Sequence, residues 1–331
     1  MQELSRRLRA SLAAASLLLS SMAPRPSLAQ ATNSSAPAFA LAGAAFNASR
    51  GRLVVVGAPS MSAPSAETWE WNGTWSRSSA VGPSPRDEPM LVYDPVRKHV
   101  LLFGGDRQRE SALMDTWAFD GASWRQLADS GPPARASTLV YDVRRDRVVL
   151  FGGATNPSGV LHNDVWEWDG RRWERVVADS LATSPAPRAL HGLAYDERRG
   201  RVVLMGGFHM VDGRPEMFDD TWEWDGAAWR RIDVAGPGAR DHVAMVYSPE
   251  RGGVVLHGGG QMSTGLVGDS WLYDGSSWRQ LASSGPPRGR HRLAYDSKTG
   301  AVLLYGGRDP RQPTTELWSL RGAAWTRISP P

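Results

Sequence analysis

Three histidines, His191, His242 and His291, recur once per roughly fifty residues, each shortly before a tyrosine. Imidazoles brought together near one axis could ligate a metal. Their phase differs, however: His191 and His291 stand four residues before Tyr195 and Tyr295, and His242 stands five before Tyr247. Six carboxylates, Glu67, Asp115, Asp164, Asp220, Asp269 and Glu316, each stand two residues before a tryptophan. One acid per repeat could form a metal ring, but sixfold recurrence points to a repeated hydrogen-bond or arginine partner. The fifteen tryptophans could offer a platform for sugars. All of them sit at repeated positions, and each could bury roughly 150–250 Å², so packing is the expected role. The segment Phe208, His209, Met210, Asp212 and Arg214 mixes aromatic, basic and acidic groups in the longest connection of its kind, and is the leading binding patch. Arg107, Arg109, Arg308, Asp309 and Arg311 are expected to contribute from other repeats. Glu216 with Arg214 would be the acid and base of a rival, catalytic reading. No Gly-x-Ser-x-Gly elbow, phosphate-binding loop, His-Glu-x-x-His or EF-hand pattern occurs, and the absence of cysteine excludes thiolate chemistry and disulfides.

These residues are positioned by six repeats. A double glycine follows an apolar run at Gly104-Gly105, Gly152-Gly153, Gly206-Gly207, Gly258-Gly259 and Gly306-Gly307, with a degenerate copy at Gly57-Ala58. Each is followed by one tryptophan (Trp69, Trp117, Trp166, Trp222, Trp271, Trp318) and then another (Trp75, Trp124, Trp173, Trp229, Trp278, Trp325). Each unit reads as four strands, a to d, represented by Thr138–Tyr141, Val148–Phe151, Val165–Trp168 and Trp173–Val176. Strand b is apolar throughout, which suits burial on both faces. Strands c and d are joined by Asp-Gly or Asn-Gly, a tight-hairpin signal. Six such units without a helical pattern predict an all-β, six-bladed β-propeller of four-stranded antiparallel blades. The a–b and c–d hairpins are nearly constant in length, whereas the b–c and d–a connections vary. These two open on one face, which is therefore the expected binding surface. The a–b turns, with Arg97-Lys98, Arg144-Arg145, Arg198-Arg199 and Arg251, read as a solvated basic rim on the other face.

The double glycines, the tryptophan that follows them and a Pro-Arg…His element, clearest at Pro187-Arg188-Ala189-Leu190-His191, resemble the kelch repeat. The resemblance covers about 38–331 and makes 32–331 one propeller domain, with repeats starting near 38, 86, 135, 188, 240 and 288. It implies strand a lining a central channel and a structural role for the repeated histidine, and it is unspecific for function, since the family spans oxidases, isomerases and binding scaffolds. Galactose oxidase chemistry is excluded, because its Cys–Tyr cofactor needs a cysteine. A sialic acid mutarotase-like isomerase remains the catalytic alternative. The repeat boundaries leave no strand to be exchanged between the termini.

Arg6, Arg7 and Arg9, an apolar run to Met22 and small residues at Ala29 and Ala31 form a secretory signal pattern over 1–31, with cleavage after 29 or 31. The apolar run is too short to span a bilayer. Removing four arginines and one acid leaves 34 basic and 33 acidic residues, so no concentrated basic excess suggests nucleic acid. The expectation is an exported, monomeric, non-catalytic propeller in the periplasm or outside the cell. It would bind a protein or glycan and need no metal or cofactor.

Overall fold

The computed structural model describes residues 37, 39, 41–107, 111–155, 159–179 and 183–329. The leader expected over 1–31 and Arg109 lie outside them. The described residues form six antiparallel sheets of four main strands, each from one contiguous stretch of chain, and in the third a short fifth strand, Arg135–Ala136, also pairs with the second. Strand a is Gly43–Asn47, Met90–Asp94, Leu139–Asp142, Gly192–Asp196, Ala244–Ser248 and Arg292–Asp296 in blades 1 to 6. Blade 4 shows the order: Gly192–Asp196 pairs Arg201–Met205, which pairs Thr221–Trp224, which pairs Trp229–Ile232. Among the described residues, no blade borrows a strand from another.

Strand b sits mid-sheet, which is why its central positions, such as Val148–Phe151, are apolar and buried. In blade 3, Val148 and Leu150 face blade 2 while Val149 and Phe151 face blade 4, the period-two alternation of a pleated strand. Six buried clusters result, one for each interface between blades. The cluster between blades 1 and 6 joins Phe46, Val55 and Trp75 to Ala301, Leu303 and Tyr305, and so closes the ring.

The tryptophans are used as packing and as hydrogen-bond donors. Each first indole donates to the carboxylate two residues before it, from Trp69 to Glu67 (2.9 Å) through Trp318 to Glu316 (3.0 Å). Second indoles reach the preceding blade: Trp124 donates to Thr68, Trp173 to Thr116, Trp278 to Thr221 and Trp325 to Ser270, all at 2.9–3.0 Å.

The double glycines are a backbone requirement. In blades 2 to 6 both residues have positive φ, and the second lies between 86° and 105°. A Cβ there would sit 2.5–2.9 Å from the carbonyl oxygen of the segment entering strand a. Only glycine combines that conformation with that approach. Blade 1, with Gly57-Ala58, lacks the positive φ values.

Candidate functional site

The repeated acids have the partner that their recurrence suggests. In blades 2 to 6 an arginine of the segment entering strand a, preceded by proline in blades 2, 4 and 6 and by alanine in blades 3 and 5, is buried against the acid of the same blade. Arg86 donates to Asp115 at 2.7 and 2.9 Å, Arg188 to Asp220 at 2.6 and 2.9 Å, and Arg240 to Asp269 at 2.8 and 3.1 Å. Arg135 pairs with Asp164, and Arg288 with Glu316. Most of these arginines also donate to the first glycine's carbonyl, as Arg86 does to Gly104 and Arg188 to Gly206. Despite the desolvation that opposes it, the guanidinium and indole hydrogen bonds hold the Asp115, Asp220 and Asp269 carboxyls below the usual range. In these five blades the repeated acid is thus a bolt between strand c and the entrance to strand a. In blade 1, Glu67 pairs instead with Arg77 of strand d.

The histidines divide as their phase predicts. His191 and His291 are buried beside the blade cores. His242 is half-buried, has φ 53°, and pairs with Asp241 at 2.8 Å. Glu88, Leu190 and Arg290 occupy the same repeated position, also left-handed, with φ 49°, 59° and 58°. Left-handed non-glycine residues are strained, and these four form a collar at the b–c/d–a end of the channel. Arg290 crosses it to Glu88 at 3.1 Å. The pocket there is about 50 Å³, lined by His191, His242 and His291 among others. Among the described residues, the group of three or more His and carboxylate ligands within reach of one another is His162, Asp164 and Asp179, not the three predicted histidines. There Asp164 already accepts from Arg135 and Trp166.

In blades 2 to 5 the b–c connections carry paired strands, as two-stranded ribbons in blades 2, 4 and 5 and as extensions of strands b and c in blade 3. In blade 4, Phe208–Val211 pairs with Arg214–Met217 in a two-stranded ribbon, and Asp212 and Gly213, with φ 50° and 77°, turn it. Two positive φ values in a two-residue hairpin define a type I′ turn. Asp212, predicted as a binding residue, therefore has a turn-forming role. His209 faces Glu216 across the ribbon at 3.4 Å and stacks on Phe218, with centroids 4.5 Å apart. Arg188 lies 3.7 Å over the other partner of that stack, the Phe218 ring, and roots the ribbon in its blade. Met210, Arg214 and Glu216 are exposed on the ribbon, and neither Arg214 nor Glu216 is among the residues lining the channel pockets. Arg107, in the Asp106–Arg107 strand, and Arg308 and Arg311 are exposed on other blades. Asp309 caps its own turn, accepting from the amides of Arg311 and Gln312 at 2.8 and 2.7 Å. These residues share the predicted face as separate outcrops. Met114, Val160, Met210 and Met262 are exposed on the b–c connections of blades 2 to 5, a series that no single-repeat motif announces.

The a–b rim is exposed at Lys98, Arg144 and Arg198, and it is also tied down. Arg145 and Arg199 pair with Glu167 and Glu223 of their own blades, whereas Arg97, Arg144, Arg198 and Arg251 clasp the following blade. Arg97 binds Asp146 at 2.6 Å and the Asp169 carbonyl at 3.1 Å. Arg144 reaches the Arg198 carbonyl at 2.6 Å, Arg198 the Asp274 carbonyl at 3.2 Å, and Arg251 the Gly322 carbonyl at 3.2 Å. Within this rim the channel widens to a cavity of about 470 Å³. It is lined by leucines, methionines and alanines of strand a, with Tyr93, Tyr141, Tyr195, Tyr247 and Tyr295 toward the a–b turns. Residue-by-residue reading of the repeats overlooked Arg292, a guanidinium lining both this cavity and the collar pocket. Aligning the six copies at the third residue before the strand-a aromatic would have found it.

A six-bladed ring of four-stranded blades, bolted by buried arginines and double glycines, defines a kelch-type propeller. The chain belongs to the kelch-repeat family: residues 65–236 match the family model described as the KLHDC2/KLHL20/DRC7 Kelch-repeats domain. No curated protein matched the chain. Propellers of this family commonly mediate protein interactions. Among the described residues, no helix is long and apolar enough to cross a membrane.

Proposed function

We propose that this protein is an exported, monomeric, non-catalytic propeller that binds a protein partner through its b–c/d–a face. The observation that carries this reading is the row of exposed Met114, Val160, Met210 and Met262 on the connections of four successive blades. Methionines suit an adaptable protein-binding surface. A glycan is less well served, because the collar pocket of about 50 Å³ has room for a water or two, at about 30 Å³ per molecule, and not for a sugar ring. The catalytic alternative is not favoured either, since Arg214 and Glu216 stand on an exposed ribbon without the enclosure that an acid–base pair uses to exclude water.

Export rests on the leader pattern over residues 1–31. Site-specific photo-crosslinkers at positions 210 and 262, in the producing cell, test the binding face. Discrete adducts at these positions and none from position 175 on strand d are expected; adducts equal at all three, or none, would overturn the assignment. N-terminal sequencing of the same material should show a chain starting at residue 30 or 32 outside the cytoplasm. An intact leader on a cytoplasmic chain would overturn export.

A further inference from the structure

We infer that the central channel, reached from the a–b end, binds a small amphipathic monoanion, an aryl or alkyl carboxylate, whose charged group is held by Arg292. The site lies at the opposite end of the channel from the protein-binding face and is independent of it. Four observations meet here. The cavity holds about 470 Å³, within the range of small-molecule pockets. Its lining includes turn residues Pro95, Val143, Pro249 and Ser297, so it opens between the a–b turns, whereas the collar of Glu88, Leu190, His242 and Arg290 narrows the other end. Its wall is apolar, with Leu91, Leu139, Leu193, Met245 and Leu293 one step above Arg292 on their strands.

The fourth observation is the guanidinium itself. At the six equivalent positions of strand a stand Gly43, Met90, Thr138, Gly192, Ala244 and Arg292, so one blade alone carries a charge. Arginine brings five N–H donors and stays protonated. Among the described residues, no carboxylate lies within ion-pair distance of Arg292, and its protein hydrogen bond is a long one, to the His291 carbonyl at 3.5 Å. Glu88, the acid whose charge acts on it, is engaged by Arg290. Burial pushes the Arg292 pKa down, the signature of a cation lacking a counter-ion. A carboxylate would supply two acceptors in the geometry that a guanidinium fork prefers, and the apolar wall would take its hydrocarbon body. A second negative charge would find no cation in the lining and would meet Glu197 at the mouth, which favours a monoanion.

Isothermal titration calorimetry of the mature chain with 4-phenylbutyrate, and with 4-phenylbutanol as its uncharged counterpart, tests this. One-site binding of the acid, at least tenfold tighter than the alcohol, is expected. Arg292→Gln should bring the acid down to the affinity of the alcohol while the alcohol is unchanged. Ala244→Leu, which fills the same layer without altering charge, should weaken both at least tenfold. Absence of binding, equal affinity for acid and alcohol, or an acid affinity unmoved by Arg292→Gln would overturn the proposal. Should Arg292→Gln fail to fold, an acid affinity unmoved by Ala244→Leu would do so.

Discussion

The indole of Trp229 is buried with no hydrogen-bond partner at Nε1, while the equivalent indoles of Trp124, Trp173, Trp278 and Trp325 each have one. The difference lies one blade back. The accepting hydroxyl stands immediately before the first tryptophan, as Thr68, Thr116, Thr221 or Ser270, and at that position blade 3 has Val165. Trp75 is orphaned in the same way, opposite Leu317 across the blade 1–6 interface. A buried donor without a partner costs about 1–3 kcal/mol. Val165→Thr keeps the branched shape and supplies the hydroxyl, so it should stabilise the protein by about 1 kcal/mol and raise Tm by about 2 °C. Thr221→Val should do the reverse by orphaning Trp278. Thermal unfolding of the two variants checks both signs; a Val165→Thr variant less stable than wild type would show that the hydroxyl fails to meet the indole.

At the scale of strands and blades, what could be read in advance is what the chain repeats. The apolar strand b, the Asp-Gly turns and the glycine pairs recur because each blade meets the same two neighbours. The connections were harder to read, because they do not repeat. The Phe208–Val211 and Arg214–Met217 ribbon was legible only as a long variable segment, although Asp212-Gly213 carried its turn signal. The arginine clasps were missed because their acceptors lie on another blade, as the Gly322 carbonyl does for Arg251 and the Asp146 carboxylate for Arg97, which no local pattern encodes. The interface between blades 1 and 6 is also particular. With no exchanged strand to bridge it, closure rests on side chains and on the segment before blade 1. Phe39 is buried there, Gly57 is closely packed beneath it, with a Cβ on Gly57 falling 2.4 Å from its ring, and the Tyr305 hydroxyl donates to the Phe39 carbonyl at 3.1 Å. Phe39→Ala should therefore cost about 3–5 kcal/mol, as for other buried aromatics, although it lies outside every strand. Urea unfolding checks this. A loss below about 1 kcal/mol would mean that the strands of the two blades hold the ring closed without it.

For the whole molecule, the titratable groups most deeply placed in the ring should set its response to acid. His191, His257 and His291 are buried in blades 4, 5 and 6. Burial, the largest cause for all three, pushes His191 down to about 3, His257 down to about 4 and His291 well below its ordinary value. Nearby arginines add to this, and for His291 so does His257. Above pH 6.5 these groups are neutral whether the chain is folded or not, and they contribute no pH dependence. Below it the unfolded chain takes up protons that the folded ring refuses, so stability falls as pH drops from 6.5 toward 4. At pH 5 the loss is about 2 kcal/mol each for His191 and His257, with His291 acting in the same direction. The bolted carboxylates Asp115, Asp220 and Asp269 are depressed acids, so their contribution holds above about pH 4 and is lost only as pH falls through their lower folded values. Acid sensitivity should thus begin near pH 6.5, well above the carboxylate range, and steepen below pH 4. His191→Gln removes one titrating group and should make the fall in stability between pH 7 and 5 shallower by about 2 kcal/mol. Denaturant unfolding of wild type and variant at the two pH values measures this. Equal falls in the two proteins would mean that His191 becomes protonated within the fold, and that the ring admits water to a position it otherwise keeps dry.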